Sequence, residues 1–350
     1  MNIVYGVSGE GLGHVFEAIE IVTRLKEEGH NVRVLTYGDR AMDSLARFTP
    51  TRIEGINLYF NDDGMSLVET ARRNLKCIPF FFGNWGRLMR ELEEFDPDVY
   101  LTAYEPFTMV AAHMTGVPLV SMDNQNELLY VQAPAGTDMF AFRVARLATR
   151  ICTHGAACYV VKSFKKLENR RSVRFVAPVI QREIRKLRPA YGDHVLVYLT
   201  KANPDLIEIL KTIDERFIVY CLNRVGEEGN ITFRAKGPTF VPDLESCKAI
   251  IGTTGFSLIA DSIFLKKPYF GAPLKKQFEQ TYNAQFLKES GLGDYSEHIT
   301  REQLVGFLAR LPEFRSRLLG YPLDPAEQEE TLLEILGALG ATEARLQAVL

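Results

Sequence analysis

The chain has 350 residues, 46% of them hydrophobic and 24% charged, with a net charge of -3; this is a globular composition, long enough for two domains, and it carries no global basic field for nucleic acid. Its cysteines, Cys77, Cys152, Cys158, Cys221 and Cys247, are odd in number and scattered, which argues against a disulfide framework and fits a reducing compartment. The opening residues show no basic leader with a long apolar core, and no run approaches the roughly 18 apolar residues that cross a bilayer; the expectation is a cytoplasmic protein.

Residues 3–7 form a short apolar run ending in glycines, residues 15–28 have helical spacing with Ile19, Val22 and Leu25 on one side and a stop at Gly29, and residues 32–36 form a second apolar run. Strand, glycine turn, helix and strand make the unit of a parallel sheet. Residues 99–102, a helix around 107–114 and residues 117–121 repeat it. Residues 177–191, with Pro178, Pro189 and several basic side chains, read as a linker. The pattern then restarts with a strand at 194–199, a helix at 204–213, a strand at 217–222, the Phe240-Val241-Pro242 segment, a strand at 249–251, a glycine-rich turn, a helix at 257–265 and a strand at 268–271. From Pro325 the tail is amphipathic, with Leu332, Leu333, Ile335, Leu336 and Leu339 on its apolar side. The predicted fold class is α/β with two Rossmann-like, doubly wound domains facing a cleft: residues 1–176, a linker 177–191, residues 192–321, and a helical tail 322–350 packing back on the first domain. Open α/β sheets bind ligands at the carboxyl ends of their strands, so the chemistry is sought in the loops that follow strands.

The first such loop is Gly6-Val7-Ser8-Gly9-Glu10-Gly11-Leu12-Gly13-His14. Glycines allow close backbone approach, and the helix that follows offers N–H donors to an anion. A dinucleotide fingerprint fails on spacing, because His14 stands where the third glycine belongs; a nicotinamide or flavin oxidoreductase is the weaker reading. His14 can take a proton from a hydroxyl, or can simply support the helix start. Asp96-Pro97-Asp98 has an acid-x-acid spelling, yet it precedes a strand, at the amino end, and reads as a turn. Cys152, His154 and Cys158 match no common zinc spacing. No catalytic metal and no cofactor are expected.

Four segments in order carry a resemblance. They are Gly9 to Phe16; Val117-Pro118-Leu119-Val120 followed by Asp123-Asn124-Gln125-Asn126; Phe175-Val176-Ala177-Pro178-Val179; and Phe240 to Leu244 followed by Gly252-Thr253-Thr254-Gly255-Phe256, Asp261, a Lys267-Pro268 strand, and Gln277-x-x-Gln280-x-x-Asn283-Ala284. Together they resemble the GT-B class of nucleotide-sugar glycosyltransferases, including the N-acetylglucosaminyltransferase that completes lipid II and related microbial enzymes. The resemblance implies an inverting, metal-independent transfer of a sugar from a nucleotide diphosphate sugar, with uracil as the implied base, to an acceptor hydroxyl. It assigns the donor to Thr200, Lys201, Phe240, Val241, Thr253, Thr254, Gly255, Phe256, Asp261, Gln277, Gln280 and Asn283. Gly11, Gly13, Asn124, Gln125 and Asn126 go to the acceptor, and His14 is the base, oriented by Glu105. Thr200-Lys201-Ala202-Asn203 departs from the family's glycine-rich loop, so the diphosphate is held differently there.

The aromatic run Ile78-Pro79-Phe80-Phe81-Phe82 with Trp85, flanked by Arg72, Arg73, Lys76, Arg87 and Arg90, reads either as core or as a surface for peripheral association at the inner face of the membrane, which would suit a lipid-linked acceptor in cell-envelope polysaccharide or glycolipid synthesis. A nucleotide-sugar 2-epimerase and a non-catalytic sugar-nucleotide-binding subunit share the donor features and stand as alternatives.

Overall fold

A computed structural model of the chain describes residues 1–9, 12–55, 60–61, 64–65, 69, 72, 85–133, 138–221, 224–274, 277–324 and 326–340. Gly11 and the aromatic run 78–82 lie outside the described residues. The chain divides into two compact units, Met1–Gln181 with Asp324–Leu350, and Arg182–Leu323.

The first unit is built on a seven-stranded sheet of β1 (Asn2–Val7), β2 (Asn31–Thr36), β3 (Thr51–Arg52), β4 (Val99–Ala103), β5 (Leu119–Asp123), β6 (Cys158–Lys162) and β7 (Val173–Val176), in the order β3-β2-β1-β4-β5-β6-β7 with all pairs parallel. Strands β4 and β5 are buried at every residue, which is why they appear in the sequence as continuous apolar runs. Three of its helices matter below: α1 (Gly13–Glu27), α2 (Pro106–Thr115) and α3 (Met139–Cys152). The second unit repeats the design with β8 (His194–Leu199), β9 (Arg216–Cys221), β10 (Gly226–Glu228), β11 (Ile231–Arg234), β12 (Ala249–Gly252), β13 (Tyr269–Gly271) and β14 (Gly293–Tyr295), in the order β10-β11-β9-β8-β12-β13-β14. Only the β10–β11 pair is antiparallel. Its helices include α4 (Pro204–Lys211), α5 (Phe240–Ser246), α6 (Phe256–Phe264) and α7 (Phe278–Glu289). Both units are thus α/β and doubly wound, as the repeated strand-turn-helix pattern indicates.

A last helix, α8 (Glu327–Gly340), belongs to the first unit. Leu332, Ile335 and Leu336 join the core formed by Val160, Val176, Val179 and β1, and the Glu327 carboxylate accepts the Ala177 N–H at 2.6 Å.

One local expectation needs correction, and two features were not anticipated. The strand expected at 117–121 runs instead from Leu119 to Asp123, because Pro118 has no N–H to give the ladder, and its carbonyl accepts from Tyr100. Asp123 is therefore a strand residue, not part of a loop. Phe240, Val241 and Pro242 form the first turn of a helix. Helix α3 and strands β6 and β7 had no counterpart in the sequence reading.

In each unit the chain leaves a central strand in one direction and later returns to its other side. In the first unit this happens at β1, flanked by β2 and β4; in the second it happens at β8, flanked by β9 and β12. Loops at the carboxyl ends of such a strand pair diverge and leave room for a ligand. The loops after β1, β4, β8 and β12 carry the residues that follow.

Candidate active site: one loop cluster in each unit

In the second unit, Thr253, Thr254 and Gly255 link β12 to α6. Gly255 occupies the position before the first helical residue, with no side-chain cap, and the first turn of α6 holds no acidic residue. The helix start therefore keeps its partial positive charge uncompensated by its own side chains. The turn is fixed from several sides. Thr253 N–H donates to the Tyr198 carbonyl at 3.2 Å, and the Tyr269 hydroxyl donates to the Thr253 carbonyl at 2.6 Å. The Thr254 hydroxyl donates to the Gln280 carbonyl at 2.7 Å, and the Asn283 amide donates to the Thr254 carbonyl at 3.0 Å. A Cβ on Gly252 would stand 2.8 Å from both the Tyr198 carbonyl oxygen and the Tyr269 hydroxyl, so only glycine lets β12 run this close to its neighbours.

Three of the expected donor residues take part in this lock. Thr254, expected on phosphate, is fully buried and spends its hydroxyl on Gln280; Asn283, expected on the sugar, holds the turn; and the Gln280 side chain accepts the Leu274 N–H at 3.0 Å. The physical reason is that backbone N–H and carbonyl groups at a buried turn need partners, and nearby side chains supply them. Replacing Thr254 with valine, nearly the same in shape, leaves the Gln280 carbonyl without that donor. A loss of about 1–2 kcal/mol in a urea titration is expected; a stability equal to the native protein's would show that the hydroxyl holds nothing.

The other donor candidates lie in the same unit. Asp261 sits on α6 and is buried; Gln277 precedes α7, and its side-chain oxygen is buried with no partner among the described residues. Thr200 and Lys201 are exposed just past β8. Phe240 and Val241 are half-buried at the start of α5. The Phe240 ring meets Tyr198 and Tyr220 edge-on at 5.5 and 5.1 Å, and the Lys236 ammonium lies 5.5 Å above it. Tyr220 is anchored by donating to Asp243 at 2.6 Å, and Arg234 donates to the same carboxylate at 2.7 Å.

In the first unit, His14 lies in the first turn of α1, whose start likewise has no side-chain cap and no acidic residue. Gly13 is the first residue of that helix. His14 is only 9% exposed; its Nε2 lies 3.3 Å from the Gln125 side-chain nitrogen, and its Nδ1 is buried with no hydrogen-bond partner among the described residues. The ring lies parallel to that of Tyr104, 6.4 Å between centres. Tyr104 follows β4 with φ 58°, a left-handed conformation that a bulky residue adopts only when its surroundings impose it. Burial, with the Lys162 ammonium nearby, pushes the imidazole down to about 3, so it is neutral at physiological pH.

Glu105 does not orient His14. It is the N-cap of α2: its carboxylate accepts the Phe107 and Thr108 N–H groups, each at 2.8 Å, and the Thr108 hydroxyl at 2.6 Å. A carboxylate one residue before a helix-opening proline is well placed for this, and capping uses both of its oxygens. Gly6 permits the arrangement, since a Cβ there would collide with the Thr108 hydroxyl and approach Glu105 to 2.8 Å. Asn126 is likewise structural. Its side-chain nitrogen donates to Ser121 and Asp123, its backbone N–H donates to Asp123, and its oxygen accepts from Thr153. Asp123 is fully buried in this network, and burial pushes its carboxyl up to about 6. Asn124 is buried at the end of β5, and Gln125, beside His14, begins a short 3-10 helix.

Beneath His14 lies a feature the sequence reading passed over. Glu17, one turn further along α1, is ion-paired with Lys162 at the end of β6, and both are buried. Glu17 shares a helix face with His14 by its spacing, and a lysine closing the apolar run Cys158–Lys162 was the available signal.

Asp98 accepts the Asn2 N–H at 2.7 Å, at the amino end of the sheet. Trp85 packs edge-on against Phe107, 4.7 Å between ring centres. Cys152 and Cys158 are buried in α3 and β6, and no group of three or more His, Cys, Asp or Glu side chains arranged for a metal ion occurs among the described residues.

A family model described as glycosyl transferase family 1 matches residues 1–312. No curated protein matches the sequence. Among solved structures, the glycotransferase of kitacinnamycin superposes with a TM-score of 0.66 at 17% identity, covering 97% of this chain and 98% of that one. The spinosyn forosaminyltransferase SpnP gives 0.66 at 15% identity over 97% and 100%, and the glycosyltransferase VinC, in complex with dTDP, gives 0.59 at 17% identity over 99% and 100%. The fold is that of the GT-B glycosyltransferases.

Proposed function

Because this chain belongs to glycosyl transferase family 1, we propose that it transfers a sugar from a nucleoside diphosphate sugar to an acceptor hydroxyl, with inversion and without a metal. The observation that carries this reading is the uncapped start of α6 behind a turn that four hydrogen bonds hold in place. Main-chain N–H donors fixed in advance stabilise the charge that develops on a departing diphosphate, the task a divalent ion performs elsewhere. Thr253 and the exposed Thr200 and Lys201 supply further donors, Asp261 suits ribose hydroxyls, and Phe240 offers an aromatic face to the base. The Gln277 oxygen, buried and without a partner among the described residues, suits a sugar hydroxyl.

In the transfer step the acceptor oxygen attacks the anomeric carbon, the bond to the diphosphate breaks, and the acceptor proton passes to neutral His14. An imidazole held near 3 is a weak base in isolation. A negative charge brought beside it by a bound substrate favours its protonated form and raises its basicity. Gln125 and Gly13 stand at the acceptor side, and the aglycone or lipid-linked acceptor has a hydroxyl as its reactive group.

A pyrimidine nucleotide is proposed for the donor, UDP following from the resemblance and dTDP being the ligand named for VinC. A panel of UDP- and dTDP-sugars read by thermal shift tests it, since a ligand at 100 times its dissociation constant adds about 2.7 kcal/mol. Turnover with the donor so identified is expected to persist in EDTA; loss of turnover restored by a divalent ion would overturn the metal-free reading. Conversion of the sugar without release of the nucleoside diphosphate would assign the epimerase reading instead.

A further inference from the structure

Helix α3 turns its apolar side away from the protein. Phe142, Thr149 and Cys152 are its buried residues, while Phe140, Leu147 and Ile151 are 70%, 60% and 58% exposed. Phe140, Val144, Leu147 and Ile151 follow the i, i+4, i+7, i+11 spacing of a single helical stripe. Arg143 and Arg150 are exposed along one flank of it. Arg146 is turned inward, donating to the Leu129 carbonyl and lying over the Phe142 ring. A surface helix of a free-standing globular domain carries the opposite pattern, polar outward and apolar inward; three exposed large apolar side chains in line with the half-buried Val144 need a covering partner.

Charge identifies that partner. The 14 residues of α3 hold three arginines and no acid. From Asp138 to Val176 there are nine basic against two acidic side chains, in a chain whose net charge is -3. A second copy docked stripe to stripe about a twofold axis would set this basic flank against itself. An anionic bilayer accepts both features at once, taking the apolar stripe into the headgroup–acyl boundary while arginines beside it reach the phosphates. No described helix is long and apolar enough to cross a membrane, so the contact would be interfacial.

We propose that α3 is an interfacial helix that seats this protein on an anionic lipid surface through Phe140, Val144, Leu147 and Ile151, with Arg143 and Arg150 on the headgroups. The helix lies beside the acceptor-side residues of the first unit: Arg146 bonds the segment that begins at Gln125, and Thr153, just past the end of α3, bonds Asn126. The proposal does not depend on the donor or on the transfer chemistry.

Flotation of the full chain with phosphatidylglycerol-containing vesicles and with pure phosphatidylcholine vesicles tests it, whatever a transfer assay shows. Binding to the anionic vesicles alone, weakened by added salt, is the expected result. Each basic residue near such a surface contributes about fivefold in affinity, so R143Q/R150Q is expected to bind at least tenfold more weakly, and F140S/L147S/I151S to lose binding. All five side chains are exposed, so circular dichroism and Tm should match the native protein; the arginine pair decides if the triple variant unfolds. Absence of vesicle binding, equal binding to both lipids, or undiminished binding by folded variants overturns the proposal. So does a concentration-dependent dimer in sedimentation velocity that F140S/L147S/I151S abolishes, because it assigns the stripe to a second copy.

Discussion

Replacement of His14 by alanine is expected to lower the turnover of sugar transfer by about 10²–10⁴-fold, the range over which a positioned general base contributes. Nucleotide binding should change little, because the proposed diphosphate contacts belong to the other unit. Single-turnover kinetics separate the two quantities, and a His14→Ala protein that transfers at close to the native rate would remove the imidazole from the chemistry.

The same residue makes a prediction in pH that needs no substrate. An unfolded chain protonates this histidine near 6.5, but the folded protein holds it to about 3. As pH falls below 6.5 the unfolded state takes up a proton that the folded state refuses, and stability drops by up to about 1.4 kcal/mol per pH unit. Asp123 acts in the opposite sense. Its carboxyl lies at about 6 folded against 3.8, so the folded state binds the extra proton between those values and gains stability on acidification. In the native protein the two effects offset each other between about pH 6 and 4. His14→Gln removes the first and leaves the second, so the variant should gain on the native protein as pH is lowered from 6.5 to 4. Urea midpoints at three pH values measure this; parallel curves would mean that the imidazole is not held neutral.

Gly255→Asp is expected to weaken donor binding by about 10²–10³-fold without destabilising the protein. The residue has φ -68° and ψ 142°, open to any side chain, and a Cβ there meets nothing within 4 Å. Aspartate at this position caps the α6 N–H groups, and the cap is worth a few tenths of a kcal/mol over glycine. Its charge then opposes the diphosphate at contact range, where two like charges at 4 Å repel by about 4 kcal/mol at an effective dielectric constant of 20. Stability and affinity should therefore part company: Tm equal or slightly higher, calorimetric nucleotide binding nearly lost. Gly255→Ala, which adds bulk and no charge, is the control and should bind almost normally. An aspartate variant that binds the nucleotide at native affinity would place the diphosphate elsewhere.

Much of the fold was legible because buried parallel strands must be apolar on both faces. The runs at Ile3, Val99, His194 and Ala249 show this, and glycines after the first and the last of them mark the turns. The resemblance added the order of the segments and the donor turn. Helix α3 escaped notice for a physical reason: its apolar stripe faces outward and its inward face holds Thr149 and Cys152, so its pattern does not report a core. Strands β6 and β7 were hidden by the basic residues around them.

The sequence by itself determined the two α/β units, the glycine turn before α6 and the histidine opening α1, since these depend on residue type, spacing and local backbone requirements. Only the tertiary structure decided which polar groups are left for a ligand. Glu105 and Thr254 sit where chemistry was expected, yet each is hydrogen-bonded to the backbone. A buried N–H or carbonyl costs more unpaired than a side chain gains by waiting for substrate, and which backbone groups are buried depends on contacts between segments far apart in the chain.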